Sequence, residues 1–457
     1  MSEMTYVIVD DVTYRAKEGS LLIDLLIREK IKVPYFCYHE SLGADGNCRM
    51  CMVEIEGQKR PQIACDTLVK SGMRVHSKGE NIQKVRTAIL ELELINHPVD
   101  CPICDQAGEC SLQDFYMDYG LHEAKVTIAD KVKHSKHVDL GSNVMLDQER
   151  CVLCARCTRF TDKITHTHEL GVIGRGDEAR VSTMPGRKLN NPYAMNIVDL
   201  CPVGALTSKD FRFSQRVWFL QTVNSICHGC AKGCNIYVDH NKIKYQDDVI
   251  YRFRPRRNDA VNGFFICDAG RLSYKELQEN RQETPLLNYS QIDEKVAILK
   301  AKELIQRHKK NITIVVDANL YTEEIEAILE FAKSVNAEVY SPLEVYMDES
   351  FKDDMLKSAN RAANSKTIER LNVKTNEPDS CGLLINFNHP QDFSADEKLN
   401  FFTHKRGSSA LTLPIAAYSE NSGTLTNEDG VTQRCEKAVF KNNPTPTILE
   451  YLQRLQS

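Results

Sequence analysis

The chain has 457 residues, of which 42% are hydrophobic, with 58 Lys and Arg against 63 Asp and Glu for a formal net charge of −5. That length exceeds one hydrophobic core and implies about two to four domains, while the near balance of charge excludes whole-chain attraction to nucleic acid or anionic lipid. No stretch approaches the roughly 18 apolar residues of a membrane span, and the start MSEMTYVIVDD lacks the basic-then-apolar pattern of a signal peptide. The expected location is therefore cytoplasmic, with no direct membrane insertion.

Alternating apolar positions predict strands over Thr5 to Val9 and Val12 to Ala16, then a short helix after Ser20 with that serine as its N-cap. Strand, strand, helix and then a cysteine loop is a ferredoxin-like order. Seventeen cysteines, an odd number in a reducing compartment, favour metal ligation over disulfides. Fifteen of them lie between Cys37 and Cys267, in four sets.

The first set is Cys37, Cys48, Cys51 and Cys65, in a loop whose Gly43 and Gly46 let backbone amides approach sulfur. Four thiolates here suit a [2Fe-2S] cluster. A zinc site built from two separated cysteine pairs is the competing reading.

A helix is predicted from Glu80 to Ile95, with Ile82, Val85, Ile89, Leu92 and Leu94 facing the core and Pro98 ending it. It delivers the second set, His97, Cys101, Cys104 and Cys110. Three cysteines and a histidine at ligand spacing suit a [4Fe-4S] cluster with one imidazole ligand, or a zinc ion with the same donors.

The third set is Cys151, Cys154 and Cys157 in CVLCARC, completed by Cys201 ahead of Pro202. Three cysteines at three-residue intervals wrap a cubane corner, and a distant Cys-Pro cysteine closes it, giving a second [4Fe-4S] site. The fourth set, Cys227, Cys230, Cys234 and Cys267, borders strands expected at Ile236 to Asp239 and Ile243 to Tyr245. It suits a third [4Fe-4S] cluster or a zinc knuckle.

The short basic run Arg252, Arg254, Arg256 and Arg257 reads as a solvated or ion-pairing edge. Beyond it the chain reads as α/β, with a strand over Ile312 to Val316, an amphipathic helix over Thr322 to Val335 and a strand over Ala337 to Tyr340. Cys381 and Cys435 are expected to act as small core residues.

In this order and at these spacings, C-x10-C-x2-C-x13-C, H-x3-C-x2-C-x5-C and a single C-x2-C-x2-C closed by Cys-Pro-Val-Gly, the first 275 or so residues resemble the large iron-sulfur subunit, the G subunit, of bacterial NADH-quinone oxidoreductase (respiratory complex I). The resemblance implies one [2Fe-2S] and three [4Fe-4S] clusters on these sets. It implies that the first three relay electrons from a flavin-bearing NADH-oxidising subunit, and that the fourth lies off that route with a structural role. It also implies a ferredoxin-like two-cluster subunit and other peripheral-arm subunits as partners, a place on the inner membrane through the complex, and no catalytic site in this chain itself.

The surroundings of the fourth set, Asn262, Gly263, Gly270 and Arg271, resemble the start of molybdopterin oxidoreductases. The 182 residues from Glu276 onward, with only Gly382, Gly407, Gly423 and Gly430, are fewer than those enzymes use, so a shortened remnant without molybdopterin is expected. Residues Glu420 to Gln433 resemble a motif near the end of that domain, or form a Gly/Asn/Asp-rich turn. The expected architecture is an α+β front followed by a reduced α/β domain. Its parts are a [2Fe-2S] ferredoxin-like β-grasp domain at 1–79, a [4Fe-4S] domain with one histidine and three cysteine ligands at 80–136, a [4Fe-4S] ferredoxin-like domain at 137–220, a molybdopterin-oxidoreductase-type domain at 221–275 and the remnant at 276–457. The competing function is the electron-transfer subunit of an NAD-linked hydrogenase or a formate dehydrogenase complex.

Overall fold

The structure is a computed structural model that describes residues 4–456 apart from 124, 142 and 310. The chain forms two compact units, Met1–Trp218 and Phe219–Ser457.

The first unit opens with a five-stranded sheet in the order Val12–Lys17, Met4–Val9, Arg74–His76, Met52–Ile55, Gln62–Ile63. Its first two strands form the expected hairpin, and Met4–Val9 also pairs in parallel with Arg74–His76. Strand alternation puts Thr5, Val7 and Val9 inside while Met4 and Tyr6 face out. The helix Leu22–Arg28 buries Leu22, Ile23, Leu25 and Leu26 in the same core as Val7, Val9, Val53 and Val75. This is a β-grasp arrangement. Ser20 does not cap that helix: Leu21 occupies the N-cap, and the Ser20 hydroxyl donates back to the Lys17 carbonyl at 2.6 Å, closing the turn out of the preceding strand.

The next helix runs Glu80–Leu94 and buries Ile82, Arg86 and Leu90. Leu92, expected in the core, is 68% exposed. Residues four apart share one helix face, and Ile82, Arg86 and Leu90 hold the inner face, so Leu92 turns outward. Arg86 is tolerated inside because it donates to the Met52 carbonyl at 2.8 Å and the Tyr119 hydroxyl at 3.2 Å. After the helix Ser111–Tyr119 come a sheet of Leu206–Ser208, Val144–Leu146 and Val138–Gly141, a hairpin of Leu170–Ile173 with Arg180–Thr183, and the helices Arg156–Lys163 and Asn196–Leu200.

The second unit begins with an antiparallel sheet of Gln221–Ile226, Asn235–Lys242 and Asp248–Pro255. Ile243 to Tyr245 is not a strand. Gln246 N–H closes a turn on the Ile243 carbonyl at 2.9 Å, Tyr245 has φ +66°, and both apolar side chains face solvent, leaving no sheet face for them to cover. The pairing strand follows the turn, and on it Arg252 and Arg254 clamp Asp239 at 2.7 and 2.6 Å, an ion-pairing edge.

A seven-stranded sheet follows, whose five parallel strands lie in the order Glu338–Tyr340, Ile312–Val316, Cys381–Phe387, Ala395–Phe402, Leu411–Pro414. The central Cys381–Phe387 is buried at every position, as a strand covered on both faces must be. The helices Glu294–Arg307, Thr322–Val335 and Ile448–Gln456 contribute to its core. Residues Gly423–Thr426 and Thr432–Cys435 form a hairpin, so the Asn/Asp/Gly-rich segment between them is a turn.

Candidate iron-sulfur sites

The loop holding Cys37, Cys48, Cys51 and Cys65 buries all four thiols. Gly43 and Gly46 sit at φ +74°, the left-handed region in which glycine is at ease, and they turn the loop back on itself. The amides of Phe36 and Cys37 point at the Cys48 sulfur at 3.4 and 3.5 Å. Hydrogen bonds from Cys48 and then Cys65 hold the Cys37 thiol well below its ordinary pKa, and one from Cys65 lowers Cys51. Cys48 and Cys65 are pushed up as the donors in those contacts. The four thiols are therefore near enough to bias one another's ionisation, two towards negative charge and two away from it.

His97, Cys101, Cys104 and Cys110 line one cavity of about 830 Å3 in the first unit. Burial lowers His97 to about 4, which keeps its ring neutral, the form in which imidazole donates to a metal. Burial pushes Cys110 up to about 11 and raises Cys104. The backbone here is pinned from outside the motif. Arg150 grips Asp100 with two bonds at 2.9 and 2.8 Å, Lys131 donates to the His97 carbonyl at 2.9 Å, and Arg216 donates to the Cys104 carbonyl at 2.7 Å.

Cys151, Cys154, Cys157 and Cys201 line a small pocket walled by Leu146, Val152, Val181 and Leu206. Leu153 and Ala155, at φ +49° and +56°, bend the chain so that Cys157 enters on the first turn of the helix Arg156–Lys163. Cys201 arrives as the C-cap of Asn196–Leu200. Burial first, then Cys201, pushes Cys154 up to about 12 and raises Cys151 further, while burial and the other three thiols raise Cys157 strongly.

Cys227, Cys230, Cys234 and Cys267 line a cavity of about 650 Å3 in the second unit. The Cys227 amide donates to the Cys234 carbonyl at 2.8 Å, and the amides of Gly229 and Gly270 reach the sulfurs of Cys227 and Cys267 at 3.4 and 3.3 Å. A Cβ at Gly270 would meet the Cys227 sulfur at 2.9 Å, so only glycine fits there. Asn262 accepts from the Asn235 amide at 2.9 Å and donates to the Phe265 carbonyl at 3.1 Å.

Each set thus faces its own cavity or closes on itself, though among the described residues no three donors close on one ion-sized point. Buried thiols that burial makes hard to ionise, such as Cys110, Cys157 and Cys234, suit an iron centre whose own charge deprotonates them. Within the first unit, the loop of the first set abuts the third: Arg156 donates to the carbonyls of Tyr38 and Leu200 at 2.6 and 3.0 Å, and Asn47 donates to the Leu153 carbonyl at 3.0 Å. The third set abuts the second, because Gly204, three residues after Cys201, lies against the Cys104 sulfur, and the Ser111 amide donates to the Pro202 carbonyl at 2.9 Å. The first and second also touch, since Phe36, beside Cys37, packs on Phe115 of the helix after Cys110 with ring centroids 5.1 Å apart.

Sequence reasoning missed the bracing arginines, although Arg156 stands inside CVLCARC itself. It also missed that Cys435, buried as expected, lies 3.9 Å from Nε2 of His228, which stacks on Tyr418 at 3.7 Å between ring centroids. Cys381 is buried in the central parallel strand.

Four family profiles match. The 2Fe-2S iron-sulfur cluster binding domain covers residues 2–80, and the NADH-ubiquinone oxidoreductase-G iron-sulfur binding region covers 86–125. The ferredoxin-like domain of NADH-quinone oxidoreductase subunit 3 covers 141–207, and the molybdopterin oxidoreductase Fe4S4 domain covers 220–279. The NADH-ubiquinone oxidoreductase 75 kDa subunit of Reclinomonas americana is 35% identical over 405 residues, 84% of this chain and 56% of that protein. The NADH-quinone oxidoreductase G subunit of Rickettsia typhi is 38% identical over 289 residues, 62% of this chain and 41% of its own length. The chain thus spans about half the length of these relatives. A chain of a solved NAD+-reducing [NiFe]-hydrogenase overlays with a TM-score of 0.42 at 27% identity, covering 47% of this chain and 91% of that one. Among the described residues no helix is long and apolar enough to cross a membrane. Profiles, their order along the chain and these identities agree, and the chain belongs to the G-subunit family of NADH-quinone oxidoreductase.

Proposed function

We propose that the chain is the iron-sulfur electron-transfer subunit of an NADH-quinone oxidoreductase. In this reading Cys37, Cys48, Cys51 and Cys65 hold one [2Fe-2S] cluster. His97 with Cys101, Cys104 and Cys110, Cys151 with Cys154, Cys157 and Cys201, and Cys227 with Cys230, Cys234 and Cys267 hold three [4Fe-4S] clusters, without molybdopterin. Such clusters, when bound, take up and release single electrons. The carrying observation is that the first three sets lie side by side within one compact unit through direct contacts between their ligand segments.

The protein's own part is insulation and mounting. The apolar walls keep water from the sulfurs, the left-handed glycines and the Gly270 amide bring backbone donors to them, and the neutral His97 ring offers a nitrogen without charge. The fourth set, in the other unit, serves as a structural site. The reading carries with it domains at 1–79, 80–136, 137–220, 221–275 and a shortened α/β molybdopterin-oxidoreductase-like domain at 276–457. Its partners are a flavin-bearing NADH-oxidising subunit, a ferredoxin-like two-cluster subunit and other peripheral-arm subunits, which hold it at the cytoplasmic face of the inner membrane.

Anaerobic purification with iron and labile-sulfide analysis tests this. About 14 irons per chain are expected, and Cys201→Ala should remove about four. Iron-free protein after reconstitution would overturn it, and co-purification with a nickel-iron hydrogenase instead of a flavoprotein and membrane subunits would reassign the complex.

A further inference from the structure

Two buried arginines join the first and third cysteine sets. Arg156 and Arg159 are 8% and 9% exposed and stand on either side of Cys157 on the helix Arg156–Lys163. Arg156 spends its two bonds on the carbonyl of Tyr38, next to Cys37, at 2.6 Å and on the carbonyl of Leu200, next to Cys201, at 3.0 Å. Arg159 donates to the carbonyl of Cys37 itself and to that of Gly43 at 2.9 Å. Its nearest carboxylate oxygen, on Asp45, is 3.8 Å away, and among the described residues Arg156 pairs with none. A guanidinium cannot lose its proton in a protein, so both remain charged. Arg159 thus has one partly exposed carboxylate and Arg156 none, a costly way to build a strut, because a buried charge is ordinarily matched by an opposite one. Negative charge on the two flanking sulfur sites would supply that match.

We propose that Arg156 and Arg159 are positioning residues that act as a shared, fixed positive charge between the first and third sites, favouring the reduced state of both. One-electron reduction at either site adds one negative charge, which the guanidinium groups offset without uptake of a proton. Because the same side chains bond the backbones of Cys37, Tyr38 and Leu200, the two sites are tuned together, and the second and fourth sites are left out. The inference rests on the reading that these sets hold iron-sulfur clusters.

Redox titration of the whole chain followed by paramagnetic resonance, with iron and sulfide analysis, compares the unmodified protein with R156Q, R156K and R159Q. In R156Q and R159Q, full iron is expected, with a roughly tenfold loss in the reduction equilibrium at the first and third sites, about 59 mV for a one-electron couple. The second and fourth sites should not move, and R156K should restore most of the loss. Unchanged potentials in iron-replete glutamine variants, equal shifts at all four sites, or loss of iron from the first or third site would overturn the proposal. Absence of iron from the unmodified protein would instead remove the underlying reading, so the two failures are distinct.

Discussion

Gln433 donates from Nε2 to the carbonyl of Gly233 at 2.9 Å, tying a hairpin near the end of the chain to the loop between Cys230 and Cys234, 200 residues earlier. The same hairpin reaches that loop through Asn427, which donates to the Lys232 carbonyl at 3.1 Å, and through the Glu428 amide, which donates to the Ala231 carbonyl at 2.8 Å. Gln433→Ala would leave the Gly233 carbonyl and Asn235, which bonds Gln433 Oε1 at 2.5 Å, without their partner inside the protein. Such a loss costs about 1–3 kcal/mol. A lower denaturant midpoint for the second unit and loss of iron from the fourth site alone are expected, read by unfolding and by iron analysis.

Gly204 has no room for a side chain. Its Cβ would run into the Cys104 sulfur and stand 3.0 Å from Cβ of Gln106. Gly204→Ala should therefore disturb the second site from a segment belonging to the third. The paramagnetic signal of the second site should broaden or vanish while that of the third persists, and an unchanged spectrum would contradict the contact.

In the proposed assignment His97, whose ring burial keeps neutral, stands where the other sets would supply a fourth thiolate. Replacing it with cysteine adds negative charge to the site and should lower its potential while leaving a cluster in place. Potentiometric titration checks this, and a potential equal to or above the original would refute the assigned ligand.

Glu324 lies on the first turn of the helix Thr322–Val335 with its carboxyl buried. Burial raises it from 4.5 to about 7, against the opposing bond from the Tyr321 amide at 3.0 Å and that from Asn421 at 3.1 Å. The folded chain therefore holds this proton more tightly than the unfolded chain. The stabilisation is complete below about pH 4.5 and is lost as pH rises through about 7, a difference of roughly 3 kcal/mol. Glu324→Gln should remove this fall in the stability of the second unit between pH 5 and 7.5, as measured by denaturant titration. Identical slopes in the two proteins would show that Glu324 is not protonated in the fold.

Much of the local structure could be read from residue order because its causes are local. The strand Ile312–Val316 and the helix Thr322–Val335 lie within the expected bounds, since apolar runs and helical periodicity are set by near neighbours. The helix Glu80–Leu94 was legible in extent, but its inward face was not: Arg86 and Leu90 occupy it in place of Leu92, because Met52 and Tyr119 receive the guanidinium. The strand placed at Ile243 belongs instead after the turn, where pairing with Asn235–Lys242 is available.

The sequence by itself showed which cysteines lie close along the chain, since spacings of two, three or five residues are within the reach of a single loop; Cys201 and Cys267 are brought to their sets by the fold. Tertiary structure alone decided that segments of the first three sets touch one another, that Arg156 and Arg159 reach across to Tyr38 and Cys37, and that a distant hairpin braces the fourth set. Those contacts join residues far apart in the chain, and such pairings depend on how whole elements pack, which no local spacing encodes.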